Sequence, residues 1–136
     1  MSMEDVIEEC KLFYFAGSET TSSLIIWTMF CFSLQQEWQM QARQEILQVF
    51  GTKELHFDGL KHLKIMNMIL NEVIRLYPPA TMVVQATSKD TTLGDMMIPS
   101  GVHIIIPIMH VHHDNEIWGE DAKDFKPERF SEGVED

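Results

Sequence analysis

The sequence contains few cysteines and few basic residues, and each shortage excludes a class of protein. Of its 136 residues only two are cysteines, Cys10 and Cys31, so a disulfide framework is excluded and a reducing compartment is favoured. Ten lysines and arginines stand against 21 acids, which gives a formal charge of −11. Because no basic stripe is present to hold phosphates, nucleic acid is not expected as a partner.

Long apolar runs and a secretory leader are also missing. The most apolar stretch, residues 24–34, covers 11 residues, whereas a helix that crosses a bilayer needs about 20. Residues 1–9 carry four acids and no base, which is the opposite of a positively charged leader. We therefore expect a buried core helix at residues 24–34 and no membrane anchor within this chain.

Common catalytic and metal-binding signatures are absent as well. Gly17 does not belong to a G-x-G-x-x-G or G-x-x-x-x-G-K-[ST] loop, and no G-x-S-x-G sequence is present. His110, His112 and His113 precede Asp114, but they lack HExxH spacing and a second pair of ligands. A histidine metal-binding module is therefore a weak alternative, and local hydrogen bonding is the preferred interpretation.

What is present is the pattern of a mainly α protein with a small β-element. Ser2 and Asp5 have the spacing of a capping box, and no proline interrupts the chain before Phe50. The Pro-Pro pair at residues 78–79 ends the helical part of the sequence. The predicted elements are helices over about residues 2–35, 37–50 and 57–76, a polar turn over 51–54, a β region over about 81–106 and an irregular region over about 114–136.

The first chemically suggestive segment lies in the middle of the long predicted helix. Residues 16–21 read AGSETT, in which Gly17 weakens the helix and the threonine hydroxyls can bond to carbonyls one turn back. Such a place can admit a ligand or a water, and Glu19 beside Thr20 could relay protons to it. Taken alone, a small-residue crossing point with a solvated glutamate is the preferred interpretation.

Two further motifs contain an acid and two arginines. Glu72 and Arg75 are three residues apart, so they share a helix face and can pair. Exposed pairs of this kind contribute little to the stability of a protein. Arg129 lies in the sequence FKPERF, residues 125–130, where aromatics and a proline suggest a docked loop. Arg129 is therefore either solvated or directed inward at an acid, for which Glu72 is the obvious candidate.

In this order the segments resemble the cytochrome P450 family. AGSETT resembles the oxygen-activation motif of its central helix, and E-V-I-R at residues 72–75 before Tyr-Pro-Pro resembles its E-x-x-R helix. Residues 127–130 match its P-E-R-F motif, and residues 5–11 and 118–122 are most similar to the plant subgroup that includes secologanin synthase. The resemblance implies a partial cytochrome P450 fold over residues 1–136.

The resemblance also implies roles for the residues that match its motifs. Glu19 and Thr20 are expected to be the catalytic acid and alcohol that guide protons toward dioxygen. Ala16, Gly17 and Thr20 are expected to lie against the heme.

Other matches imply structural roles. Glu72, Arg75 and Arg129 are expected to form a structural triad that locks the core and takes no part in the chemistry. Gln85 stands where the family usually has an arginine beside a heme propionate, so one anchor of the heme is not expected here.

The implied parent protein is a heme-thiolate monooxygenase that hydroxylates a small lipophilic substrate. It would use O2 and electrons from NADPH-cytochrome P450 reductase, at the cytoplasmic face of the endoplasmic reticulum membrane. The family's iron ligand is a cysteine in F-x-x-G-x-R-x-C-x-G, downstream of P-E-R-F, and neither Cys10 nor Cys31 matches that loop. No metal ligand is therefore expected here, and the fragment alone is expected to be inactive. The alternative is a non-catalytic helical interaction protein without heme.

Overall fold

The computed structural model describes residues 2–51 and 56–134. Their contacts divide the chain into two compact units, one of Met1–Pro79 with Lys123–Asp136 and one of Ala80–Ala122. The predicted turn over residues 51–54 lies outside the described residues except for Gly51. The last two residues of the predicted irregular region also lie outside them.

The first unit begins with the 32-residue helix α1 (Met3–Leu34). Its start is fixed by the predicted capping box, in which Asp5 N donates to Ser2 Oγ at 3.1 Å and Ser2 N donates to Asp5 Oδ2 at 2.6 Å. Only Thr28 and Cys31 of this helix are buried. The last turns of α1 therefore meet the core, and most of its other apolar side chains are exposed.

Three α-helices follow among the described residues 36–51 and 56–79 of this unit, and they correct one prediction. They are α2 (Gln36–Phe50), α3 (Phe57–Leu60) and α4 (Lys64–Leu76), so the single helix predicted over residues 57–76 is wrong. Leu63 has φ −81° and ψ 78°, which is not helical. Its side chain is nevertheless buried at 7% exposure. The apolar spacing therefore continues through Leu63, and the sequence pattern does not reveal the break in the helix.

The core of the first unit is built around α4. Ile69 and Val73 of this helix are completely buried, and they cluster with Cys31 of α1 and Ala42 of α2. A 3₁₀ helix, Pro127–Phe130, also contacts α4. Three separate parts of the chain thus pack on one 13-residue helix, which fixes it in place.

The second unit contains the small β-element. Strands β1 (Val83–Ala86) and β4 (His103–Ile106) pair antiparallel, as do β2 (Thr91–Leu93) and β3 (Met96–Ile98). Gly94 lies between β2 and β3 with φ +56°, a left-handed conformation that glycine adopts without strain. The mainly α fold with a small β-element is therefore as predicted.

Residues 114–134, the described part of the predicted irregular region, are less irregular than predicted. After α5 (Ile108–His112), a short helix α6 (Asn115–Trp118) begins where Glu116 N donates to Asp114 Oδ1 at 2.8 Å. Pro127 starts the 3₁₀ helix, a position that suits its fixed φ. Both elements are single turns, too short to produce a readable period in the sequence.

Among residues 2–51 and 56–134, no helix combines the length and the apolar character that crossing a bilayer requires.

Candidate functional site

Helix α4 carries an ion pair in the interior of the first unit. Arg75 Nε donates to Glu72 Oε2 and Arg75 Nη2 donates to Glu72 Oε1, both at 2.8 Å. The side chains are 2% and 0% exposed. Two parallel bonds hold the guanidinium in register with the carboxylate. Because both charges are out of water, each depends on the other for compensation.

The chain segment before the 3₁₀ helix completes this cluster. Lys126 N donates to Glu72 Oε1 at 2.8 Å, and Arg75 Nη2 donates to Asp124 O at 3.3 Å. Arg129 Nε lies 3.9 Å from Glu72 Oε1, so a second positive charge faces the same carboxylate. The structure thus brings the three predicted triad residues together and adds two backbone partners that the sequence did not indicate.

The predicted oxygen-activation residues lie elsewhere, on an exposed stretch of α1. Thr20 Oγ1 donates to Ala16 O at 2.8 Å, the bond to the preceding turn that the sequence suggested. A Cβ built on Gly17 would meet nothing within 4 Å, so the helix backbone is open there. Thr20 is about 16 Å along the helix axis from the buried Cys31.

Cys31 is buried beside the ion pair of α4. Burial, with the Glu72 carboxylate as a second cause, raises the pKa of the Cys31 thiol to about 11. A thiol with this pKa stays protonated near neutral pH and is not a reactive thiolate. Cys10, in contrast, is exposed.

The histidines predicted as a weak metal-binding alternative lie in the second unit. His110 and His112 belong to α5, and His113 ends it. Among the residues that the structure describes, no group of three histidine, cysteine or acidic side chains is placed to hold a metal ion.

One buried acid was missed at the sequence level. Glu45 of α2 is 9% exposed, and its carboxylate accepts hydrogen bonds from Ile65 N at 2.8 Å and Met66 N at 3.0 Å. An acid on an amphipathic helix normally indicates a solvated position, so Glu45 gave no signal by itself. Leu63, the residue before α4, cannot cap a helix with its side chain, but the sequence pattern placed it inside a continuous helix, so no signal for Glu45 was available.

The sequence model of the family described as Cytochrome P450 matches residues 1–135. The chain belongs to the cytochrome P450 family. Cytochrome P450 72A552 of Barbarea vulgaris is 59% identical over 134 residues, which are 98% of this chain and 26% of that protein. Cytochrome P450 72A397 of Kalopanax septemlobus and 11-oxo-beta-amyrin 30-oxidase of Glycyrrhiza uralensis are 57% and 54% identical over the same shares. The chain thus spans about a quarter of the length of the curated relatives it matches.

These matches confirm the resemblance and the partial cytochrome P450 fold. The similar proteins named above come from plants, in agreement with the predicted plant origin. Cytochromes P450 are heme-thiolate proteins, so heme is the cofactor of the complete protein.

Proposed function

We propose that these residues are part of a heme-thiolate monooxygenase that hydroxylates a small lipophilic substrate. The observation that carries this proposal is the family match over residues 1–135. O2 is the oxidant, and NADPH-cytochrome P450 reductase supplies the electrons. A relative named 11-oxo-beta-amyrin 30-oxidase supports a lipophilic substrate of that kind. The complete protein is proposed to work at the cytoplasmic face of the endoplasmic reticulum membrane, since plant members of the family are generally membrane-bound.

We propose that the exposed stretch of α1 lies against one face of a heme. Gly17 leaves open space above the backbone, so a flat group could approach closely there, with Ala16 as the other small contact. The heme, when bound, supplies the dioxygen chemistry. The Thr20 hydroxyl and the Glu19 carboxylate are proposed to hold protons and pass them toward dioxygen.

The triad is proposed to be structural. Glu72 and Arg75 are completely or almost completely buried, so neither side chain can reach a substrate. Their hydrogen bonds to the backbone of residues 124–126 join α4 to the segment that leads into P-E-R-F. We propose that this junction keeps the heme side of the fold in place.

We also propose that residues 1–136 do not turn over substrate by themselves. An axial thiolate is what promotes cleavage of the oxygen–oxygen bond. Neither Cys10 nor Cys31 lies in a sequence that matches the family's F-x-x-G-x-R-x-C-x-G loop, so neither is proposed to ligate the iron.

One observation favours the alternative of a non-catalytic interaction protein. Several large apolar side chains of α1 are exposed, among them Phe13 at 76% and Ile26 at 65%. Exposed apolar surface of this kind often marks a binding face. In a cytochrome P450, the remainder of the domain would cover it.

The deciding experiment is to extend the transcript on both sides of these codons and express the whole reading frame with a plant reductase. We expect the reduced protein to give the CO-difference band of heme-thiolate ligation and to oxidise 11-oxo-beta-amyrin, used as a probe and followed by mass spectrometry. A reading frame without a cysteine loop and without that band would establish the non-catalytic alternative. The 136-residue chain with added heme is the control, and a heme-thiolate band from it would overturn its proposed inactivity.

A further inference from the structure

The first turn of α4 has no cap of its own. The first amides of a helix have no acceptor within it, and α4 has neither a side-chain cap at Leu63 nor an acid in its first turn. Lys64 N donates to His62 O at 3.1 Å. The amides of Ile65 and Met66 must therefore be satisfied from another element.

Glu45 of α2 accepts both of these hydrogen bonds. Its Oε1 takes the amide of Ile65 and its Oε2 takes the amide of Met66, so the whole carboxylate is engaged. The negative charge also lies at the positive end of the α4 dipole, where it is favoured. Two oxygens on two successive amides restrict both the distance of α4 from α2 and its rotation about its own axis.

We propose that Glu45 is a positioning residue that sets the place of α4, and thereby the place of Glu72 and Arg75. These two residues lie about two to three turns further along the same helix. At that end Lys126 N donates to Glu72 Oε1, so α4 is held at both ends by bonds between side chain and backbone. The contacts of Glu45 do not depend on the heme reaction proposed above.

A local cap and a positioning residue differ in how far their effect reaches. A local cap protects only the amides of Ile65 and Met66. A positioning residue also keeps Glu72 within hydrogen-bond reach of Lys126 N. Loss of Glu45 must then make the Lys126 amide exchange its hydrogen faster. Hydrogen exchange resolved at single residues distinguishes the two in the complete protein.

The variants are Glu45→Ala, which removes both acceptors, and Glu45→Gln, which keeps the side-chain volume and one acceptor. Gln44→Ala, at an exposed neighbour on the same helix, controls for changes in α2 itself. Ala42→Gly, at a residue 2% exposed, lowers stability without touching the cap. Urea is used to bring all variants to equal overall stability before exchange is compared.

We expect Glu45→Ala to accelerate exchange at Ile65 and Met66 about tenfold relative to Ala42→Gly, the factor that loss of a helix cap typically produces. The exchange rate of the Lys126 amide should rise severalfold in the same comparison. At all three amides, the exchange rate in Glu45→Gln should lie between the rates in Glu45→Ala and Gln44→Ala. If only Ile65 and Met66 change, Glu45 is a local cap and the positioning role is rejected. The proposal fails entirely if, in either Glu45 variant, the Ile65 and Met66 amides exchange at the same rate as in the control variants.

Discussion

Glu72 and Arg75 form a bidentate ion pair inside α4, with both nitrogen–oxygen distances at 2.8 Å and neither side chain more than 2% exposed. The chain contains a second pair at the same spacing, Glu8 and Lys11 on α1, with a distance of 2.7 Å and both side chains 66% exposed. The two pairs share the i, i+3 spacing but differ in burial, and the buried pair has two hydrogen bonds from an arginine where the exposed pair has one from a lysine. The exposed pair therefore serves as a reference for a pair that water solvates.

Glu72→Gln should destabilise the complete protein strongly. The substitution leaves the Arg75 guanidinium buried without its principal counter-charge, and breaking a buried pair in this way costs about 3–5 kcal/mol. Lys11→Gln breaks the exposed pair and should change the free energy of unfolding by no more than about 0.5 kcal/mol. Urea denaturation measures both values, and equal losses for the two variants would contradict this account of the buried pair.

The two cysteines should differ sharply in reactivity. Because burial raises the pKa of Cys31 to about 11, its thiol is protonated and covered at pH 8, whereas Cys10 is exposed. Iodoacetamide followed by peptide mass spectrometry should label Cys10 in the folded protein and leave Cys31 unmodified. Both cysteines should be labelled in urea, and labelling of Cys31 in the folded protein at the rate of Cys10 would refute the prediction.

The same shift predicts a pH dependence of stability. The unfolded thiol loses its proton near pH 9.0, while the folded Cys31 keeps its proton up to about pH 11. The folded state thus binds more protons in this interval, so the free energy of unfolding falls as pH rises from about 9 to about 11. Below pH 9 this contribution is constant. Cys31→Ser should remove this part of the pH profile, and an unchanged profile would assign it to other groups.

Gly59 of α3 should not tolerate a side chain. A Cβ at this position would lie 2.7 Å from Phe50 Cζ, and the Phe50 ring is only 4% exposed, so it has little room to move. Gly59→Ala should lower the free energy of unfolding by about 1–3 kcal/mol. In a double-mutant cycle, Phe50→Leu should recover part of that loss, because leucine lacks the ring atoms that the new Cβ would meet. Additive effects of the two substitutions would show that the ring is not the obstacle.

Contacts between residues that are close together in the chain could be predicted from the sequence. The capping box of Ser2 and Asp5 begins α1, and the three-residue spacing of Glu72 and Arg75 allowed their pairing to be anticipated. Both depend only on helix geometry. The break at Leu63 could not be found in this way, because a buried leucine in a turn has the same apolar character as one in a helix.

Partners that are backbone atoms left no trace in the sequence. Glu72 accepts from Lys126 N and Glu45 accepts from Ile65 N and Met66 N, and every residue other than proline offers the same N–H. Such contacts join elements 20 to 54 residues apart. They follow from how α2, α4 and the segment before P-E-R-F pack, so only the structure reveals them.

Thr20 offers the most direct test of the proposed proton-transfer role. Thr20→Val keeps the shape of the side chain and removes the hydroxyl that donates to Ala16 O, whereas Thr20→Ser keeps a hydroxyl. In the complete protein we expect Thr20→Val to lower the rate of substrate hydroxylation about 10²-fold, the lower range for loss of a positioned proton-transfer group. Thr20→Ser should retain most of that rate, and both variants should keep their heme, as shown by an unchanged CO-difference band. Product formation at equal heme content is the measurement, and a Thr20→Val rate equal to that of Thr20→Ser would remove the hydroxyl from the mechanism.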